Sequence, residues 1–361
     1  MRAVLCLPPA RTSNEYDLVR AMPATDLTVV ADGERAPGDR TVVLPVRRLP
    51  LLGGHEGWTA AVAWLRGLSS LDGRPADVVV SLEAFSFGTA QAARLARRLR
   101  APHAVLVFET LTTMPLYRVP PWRPILRRTL RRADCFVGFS QKAVDHLVAM
   151  GAPAERCAVV HPGVDTDRFR PAPVLEPGPE VLFVGMLRAN WGADKGVHDL
   201  VAAAERLAPE VDGFRLTMVG DGHLRPALEA RAATAPWLRV AGRRPRAEIP
   251  DVLRAGRVLV LPSKTTPKWE EQFGFVLVEA MACGLPVVAT RSGVIPEVVP
   301  PWNPLVPEGD PAALAEGIRA ALGPDGEAWG RRNREHVLER FDLTQQAKHL
   351  RDVLGDLVAG R

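Results

Sequence analysis

The chain has 361 residues, 47% hydrophobic and 24% charged, with a formal net charge of +5 at pH 7 and a pI near 9.3. That length fits two ordinary domains rather than one core, and that composition excludes a disordered chain. No run approaches the about 20 apolar residues of a membrane-spanning helix, so a protein that crosses a bilayer is excluded as well.

Ala3 to Leu7 is too short for a leader and is closed by Pro8-Pro9. Cys6, Cys135, Cys157 and Cys283 make no spacing for zinc or a redox pair. A cytoplasmic protein follows. Its positive bias suits anionic partners without choosing among them.

Along the first half, β-rich apolar runs recur at Ala3 to Leu7, Leu27 to Ala31, Val42 to Val46, Val78 to Leu82, Ala104 to Phe108 and Cys135 to Phe139. Helical patterns at Thr59 to Leu68, Phe87 to Leu99 and Gln141 to Met150 separate several of them. Such alternation predicts an α/β fold with a doubly wound parallel sheet, whose ligands sit beyond the carboxyl ends of the strands. The arginine-rich segment Arg118 to Arg132 carries Trp122 and places Ile125, Leu126, Thr129 and Leu130 on one helical face. Its basic face suits peripheral contact with an anionic membrane, or water alone. Nucleic acid is not expected, because no nucleic-acid module is present and only 6% of residues are aromatic.

Pro171-Ala172-Pro173 through Pro177-Gly178-Pro179 has the composition of a linker. A second strand–helix series follows: Val181 to Gly185, Phe214 to Gly220 and Val258 to Leu261, with a helix over Val197 to Leu207 opened by Lys195-Gly196. Then comes Trp269 to Thr290, a loop ending at Gly274, a short apolar helix from Phe275 to Cys283, a stop at Gly284 with Pro286 beyond it, and a β-branched strand. Glu271 and Glu279 flank one helix start. The unpartnered N–H groups there suit a diphosphate, and carboxylates accept hydrogen bonds from vicinal hydroxyls. The arrangement asks for a nucleotide sugar, with the sugar by Glu271 and the ribose by Glu279.

These residues carry a resemblance. Glu271 and Glu279, followed by Ala280, Ala282, Gly284, Pro286, Val287 and Val288, match the Glu-x7-Glu signature and Ala-x-Ala-x-Gly-x-Pro-Val-Val run of the retaining glycosyltransferases of family 4. The resemblance implies the GT-B fold: two Rossmann-like domains facing across a cleft, acceptor-binding over 1–172 and nucleotide-sugar-binding over 173–340, with the helix of 341–361 packing back on the first. It implies hexosyl transfer from a UDP- or GDP-sugar to an acceptor hydroxyl on a lipid-linked, saccharide or small molecule, with retention, no metal and no cofactor beyond the co-substrate. Asp165-Thr166-Asp167 looks like a metal motif, but it lies in a segment that closes the first domain in the family and reads as structural.

The family pattern also assigns roles in the donor site. Gly185 ends a strand, and Lys195 with Gly196 would hold the phosphates; the arginine relatives carry after this glycine is Met186 here, with Arg188 as its replacement. Gly220 and Gly222 would lie near the nucleotide, Arg243 near the base, and Ser263 in the same pocket. The amides of Phe273, Gly274 and Phe275 would meet the diphosphate. In the first domain the Gly-rich loop of relatives is replaced by Pro8 to Asn14, and Glu109 stands where many relatives have a histidine, orienting or deprotonating the acceptor hydroxyl, or else resting in water. Sugar-nucleotide epimerases, phosphorylases and non-catalytic nucleotide-sugar binders share these features and remain as alternatives.

Overall fold

The structure, a computed structural model, describes residues 1–7, 14–33, 40–48, 63–171, 178, 180–190 and 193–360. They form two compact units, Met1–Gly163 with Leu343–Arg361, and Val164–Asp342.

The first unit is built on strands β1 (Arg2–Cys6), β2 (Asp26–Ala31), β3 (Arg40–Val43), β6 (Val78–Leu82), β7 (His103–Val107), β8 (Cys135–Gly138) and β9 (Cys157–Val159), in the spatial order β3-β2-β1-β6-β7-β8-β9. Every pairing is parallel, with Leu5 opposite Val29 on one side and Val80 on the other. All five residues of β6 and of β7 are buried, as strands covered on both faces require. The covering helices include α1 (Asn14–Arg20), α2 (Phe87–Leu99), α3 (Trp122–Arg132) and α4 (Gln141–Ala149). Serine side chains start two of them: Ser86 accepts from Thr89 N and Ser140 from Ala143 N, each at 3.0 Å. Trp122, Leu126 and Leu130 of α3 pack with Val105 and Phe136 on one face of the sheet.

Two local expectations change here. Of Thr59 to Leu68, residues 59–62 lie outside the described residues, and Ala63–Leu65 is not helix but strand β5, paired antiparallel with β4 (Val46–Arg48). The Gln91 side chain explains why a strand persists there: it accepts from Leu65 N at 3.0 Å and donates to Leu65 O at 2.6 Å, satisfying the backbone a helix would have satisfied internally. The single strand expected over Val42 to Val46 is split between β3 and β4 at Leu44-Pro45, where proline removes a donor. The loop 8–13 lies outside the described residues.

In the second unit the order is β14-β13-β10-β15-β16-β17, again all parallel, from β10 (Glu180–Val184), β13 (Arg215–Val219), β14 (Leu238–Gly242), β15 (Val258–Leu261), β16 (Val287–Thr290) and β17 (Leu305–Val306). Its helices include α5 (Val197–Leu207), α8 (Phe275–Ala282), which packs on β15 and β16, and α11 (Gly326–Arg340). α6 (Arg225–Ala232), α7 (Ile249–Arg254), α9 (Ile295–Val298) and α10 (Pro311–Leu322) complete the set. The chain runs from β10 outward through β13 and β14, then returns to β15 beside β10. The β10–β15 junction is therefore a topological switch point, where the loops part and leave a crevice.

The division falls at Gly163/Val164 rather than at 172/173. Residues 164–169 stay with the second unit because Val164 N donates to Phe341 O at 2.8 Å, Thr166 Oγ1 to Asp342 at 2.6 Å, and Arg334 to the carbonyls of Thr166 and Phe169 at 3.0 and 2.8 Å. Asp165 accepts from the N–H groups of Asp167 and Arg168 at 3.1 and 3.0 Å, a turn-forming use of its carboxylate. The helical C-terminal segment breaks at Phe341-Asp342, and α12 (Leu343–Ala359) belongs to the first unit, packed on α1.

Candidate active site

At the second unit's switch point three side chains converge. Lys195 Nζ lies 2.7 Å from Glu271 Oε2, and Ser263 Oγ donates to the same oxygen at 2.7 Å. Lys195 follows the β10 loop, Ser263 follows β15, and Glu271 precedes α8, so the sheet order itself assembles them. The ammonium also sits 4.5 Å from the centre of the Trp269 ring, a cation–π contact that fixes its reach. The side chains of Lys195 and Glu271 are only 12% and 9% exposed. At that burial neither charge is tolerable without the other.

Backbone geometry sets this cluster. Gly196 adopts φ +65° at the start of α5 and lies so close to Pro262 that a Cβ would fall 1.8 Å from its carbonyl oxygen. Asp194 accepts from Gly196 N at 2.8 Å. Opposite, Gly293 (φ +55°) would place a Cβ 2.0 Å from Glu271 O, and Val294 N donates to that oxygen at 2.9 Å. Thr290 Oγ1 donates to Ser263 O. Residues of the β16 loop thus hold both Ser263 and Glu271.

After β10, β11 (Ala189–Asn190) pairs antiparallel with β12 (Ala193–Asp194), and Lys195 N donates to Arg188 O at 3.1 Å. Arg188 is thereby brought beside Lys195 along the backbone, half-buried, while Met186 is 42% exposed. The loops after β10, β13 and β14 are stitched together. Gly185 N donates to Val219 O at 2.9 Å, Leu187 N to Asp221 O at 2.9 Å, Gly220 N to Gly242 O at 3.0 Å, and Gly222 N to its neighbour Asp221 at 2.8 Å. Arg243, next in line, is exposed.

Gly274 caps α8 with φ +78°, and Leu277 N donates to its carbonyl at 2.8 Å. The first amides of α8 have no partner four residues back and carry the positive end of the helix. Phe273 is 2% exposed and packs against Phe275 and Phe341 at ring distances of 4.9 and 5.8 Å, so its side chain belongs to the core and only its backbone is open to a ligand. Ser263 is wholly buried too, and acts on Glu271 rather than lining a pocket.

Glu279, one side of α8 further on, is 6% exposed and lies 3.3 Å from Arg246. Burial pushes its carboxyl up to about 7, against the opposing pull of Arg246 and Arg168. Arg168 in turn donates to Arg246 O. These arginines, Trp269 and Gly293 were not singled out from sequence. Only Trp269 and Gly293 left a signal, by flanking the signature stretch.

In the first unit, Glu109 follows β7, is 7% exposed and accepts from Thr110 N and Leu111 N at 2.9 and 2.8 Å. It is thus buried and not a carboxylate in water. Glu83, after β6, is 5% exposed, has φ +62°, and accepts from Phe108 N at 3.3 Å. The buried Tyr117 hydroxyl has no hydrogen-bond partner among the described residues. Burial, then Glu109 and Glu83, hold it well above the usual phenol range. Two acids and a phenol therefore gather at the carboxyl edge of this sheet. The basic segment forms α3, with Trp122, Leu126, Thr129 and Leu130 buried and its arginines exposed.

Comparison with known proteins agrees with this architecture. Residues 15–163 match the family model "Glycosyl transferase 4-like domain" and residues 178–323 match "Glycosyl transferases group 1". The chain belongs to these glycosyltransferases and has their GT-B fold.

WcaL of Escherichia coli (strain K12), assigned to colanic acid biosynthesis as a glycosyltransferase, is 33% identical over 237 residues, 62% of this chain and 57% of WcaL. The 2-deoxystreptamine glucosyltransferase of Streptomyces kanamyceticus is 29% identical over 354 residues, 89% of this chain and 88% of that enzyme. Anabaena Alr3699/HepE in complex with UDP superposes with a TM-score of 0.76 at 20% identity, covering 99% of this chain and 100% of that one. Against the first relatives, the chain spans little more than half of their length, 57% for WcaL. Among the described residues no helix is long and apolar enough to cross a membrane.

Proposed function

We propose that the protein is a retaining, metal-independent hexosyltransferase that moves a sugar from a nucleoside diphosphate to an acceptor hydroxyl. The observation that carries this reading is the buried Lys195–Glu271 pair at 2.7 Å, at the switch point and at the amino end of α8. A diphosphate entering there gives Lys195 a second anionic partner beside Glu271, so the ammonium answers both charges. Arg188 and the amides of Phe273, Gly274 and Phe275 add donors to the departing phosphate. Glu271, kept beside Lys195, turns its remaining acceptor capacity to the donor-sugar hydroxyls, with Ser263 and Trp269 as positioning residues. Glu279 takes the ribose hydroxyls. Gly185, Gly220, Gly222 and Arg243 line the nucleotide's path along the stitched loops.

In the reaction the acceptor oxygen bonds to the anomeric carbon as the bond to the diphosphate breaks, on the same face of the sugar. The acceptor's proton passes to the leaving phosphate oxygen. Glu109 orients the acceptor, and no cofactor takes part. The donor carries uracil or guanine; the HepE complex with UDP favours uracil. The protein works in the cytoplasm, with the outward arginines Arg123 and Arg127 of α3 giving a peripheral hold on an anionic leaflet.

The test is to incubate the protein with UDP- and GDP-hexoses and a panel of saccharide, polyprenyl-phosphate-linked and aminocyclitol acceptors in excess EDTA. The product's anomeric coupling is then read by NMR. Acceptor-dependent product of retained configuration, unchanged by EDTA, is expected. Donor consumed without acceptor would instead mark an epimerase, and an inverted product would refute retention.

A further inference from the structure

The first unit holds a second feature that sugar transfer does not use. A cavity of about 710 Å³ lies between the carboxyl halves of α2 and α3, lined by Arg94, Arg97, Arg100, Arg128, Arg131 and Arg132 against a single carboxylate, Asp134. Its lining includes His103 and Asp134, at the amino ends of β7 and β8, the opposite end of the strands from Glu109.

All six arginines are exposed, and none makes an ion pair among the described residues. That is unlike other arginines of the same unit, since Arg2, Arg40 and Arg98 pair with Asp77, Asp26 and Asp72. Helix ends explain part of the cluster, because cations belong near helix C-termini and Arg97, Arg131 and Arg132 lie in last turns. They do not explain Arg94 or Arg128, a turn earlier. The terminal carbonyls of α3 also have their own cation: Arg156 donates to Arg131 O and Ala133 O at 3.5 and 3.3 Å.

Six like charges around one concavity repel unless an anion sits among them, and guanidinium forks match phosphate oxygens two at a time. Ala93 and Ile125 contribute apolar surface to the lining. The concave form suits a discrete group with several anionic oxygens.

We infer that this cavity is a binding site for a phosphate-ester or diphosphate group, separate from the donor site. The group comes either free in solution or as a phospholipid headgroup. The site depends on none of the residues placed in sugar transfer.

The full-length protein is compared with R94Q/R97Q/R128Q and with the triple lysine variant, which keeps charge but not the fork. The variants leave Arg123 and Arg127 in place, so a membrane hold through the outer side of α3 would survive them. Titration calorimetry with inorganic diphosphate is run alongside sedimentation with phosphatidylglycerol–phosphatidylcholine vesicles. The wild type is expected to show one binding event beyond that of the donor site, weakened about tenfold or more in the glutamine variant and less in the lysine variant. Sugar transfer and thermal stability should be unchanged.

Loss of the diphosphate event alone identifies the free anion, and vesicle binding weakened to the level that Arg123 and Arg127 sustain identifies the headgroup; either supports the site. Diphosphate and vesicle binding both indifferent to the three substitutions would overturn it. So would arginine-dependent binding of duplex DNA alone, which would make the cavity part of a nucleic-acid surface.

Discussion

The two units end their parallel sheets in opposite ways. Beyond β10 and β15 a carboxylate is matched with a cation, Glu271 with Lys195 at 2.7 Å. Beyond β6 and β7 two buried carboxylates, Glu83 and Glu109, accept from backbone N–H groups, and the nearby Tyr117 hydroxyl has no hydrogen-bond partner among the described residues. The first arrangement is preorganised for a ligand that brings negative charge and hydroxyls together. The second presents carboxylate oxygens and a phenol, groups that hydrogen-bond hydroxyls. One fold used twice thus ends one sheet in a lysine–carboxylate pair and the other in carboxylates that accept from backbone amides.

Removing that cation is the most direct way to break the contrast. Lys195→Ala should lower kcat by about 10²–10³-fold, the usual loss when one donor to a developing anion is deleted. Glu271 would also be left buried without its counter-charge, so the melting temperature should fall as well. Steady-state kinetics beside a thermal melt checks both. A variant with wild-type turnover would end the assignment of the second unit as the donor side.

A backbone change reaches the same site without touching a charge. Gly293→Ala puts a methyl 2.0 Å from Glu271 O, in a left-handed conformation. A loss of about 2–4 kcal/mol in urea unfolding is expected. Glu271 should shift with its loop, reducing activity in whatever protein stays folded. Unaltered stability would mean that the β16 loop does not set the position of Glu271.

How much of this contrast was legible differs between its halves. The helix start in the second unit could be read because it lies in one stretch: Glu271, Gly274 and Glu279 have local spacing that helix start and stop rules convert into geometry. Lys195 entered through the family's Lys-Gly pattern, and the structure places it 2.7 Å from Glu271. What completes the site comes from tertiary contact. Arg246 and Arg168 reach Glu279 from distant loops, and a fully buried Ser263 turns from pocket lining into support for Glu271.

On the acceptor side Glu83 was missed because nothing in its neighbours signals a positive φ in a non-glycine residue, and the burial of Glu109 depends on strands brought together from afar. The helix expected over Thr59 to Leu68 failed for a related reason, since Ala63–Leu65 is held extended by β4 and the side chain of Gln91. Even the arginine cavity needs two helices that are separated in sequence, although one of them was already marked as basic.

The acceptor half is sharpened by Glu109→Gln, which keeps shape and removes charge. If Glu109 orients the acceptor while the leaving phosphate takes the proton, the acceptor KM should rise about tenfold and kcat should hold. A fall in kcat of about 10² or more with an unchanged KM would instead make Glu109 the base.

The smallest effect tests the donor half through pH. Burial raises the Glu279 carboxyl to about 7, and Arg246 pulls it down. Because the folded value lies above that of an exposed carboxyl, the protonated form favours the fold. That contribution to stability is therefore present at low pH and lost as pH rises toward 7.

Nucleotide binding runs the other way, since only the carboxylate accepts from both ribose hydroxyls. UDP affinity should thus rise between about pH 6 and 8, with a midpoint near that of Glu279. Arg246→Ala removes a downward pull and must move the midpoint to higher pH, by less than about one unit because Arg246 is half exposed. Glu279→Ala should flatten the profile and weaken UDP about tenfold at pH 8. Calorimetric titrations of UDP across that range read all three proteins. A midpoint that stays put or falls in Arg246→Ala would show that the nucleotide is gripped elsewhere, and that the buried acid on α8 belongs to the core alone.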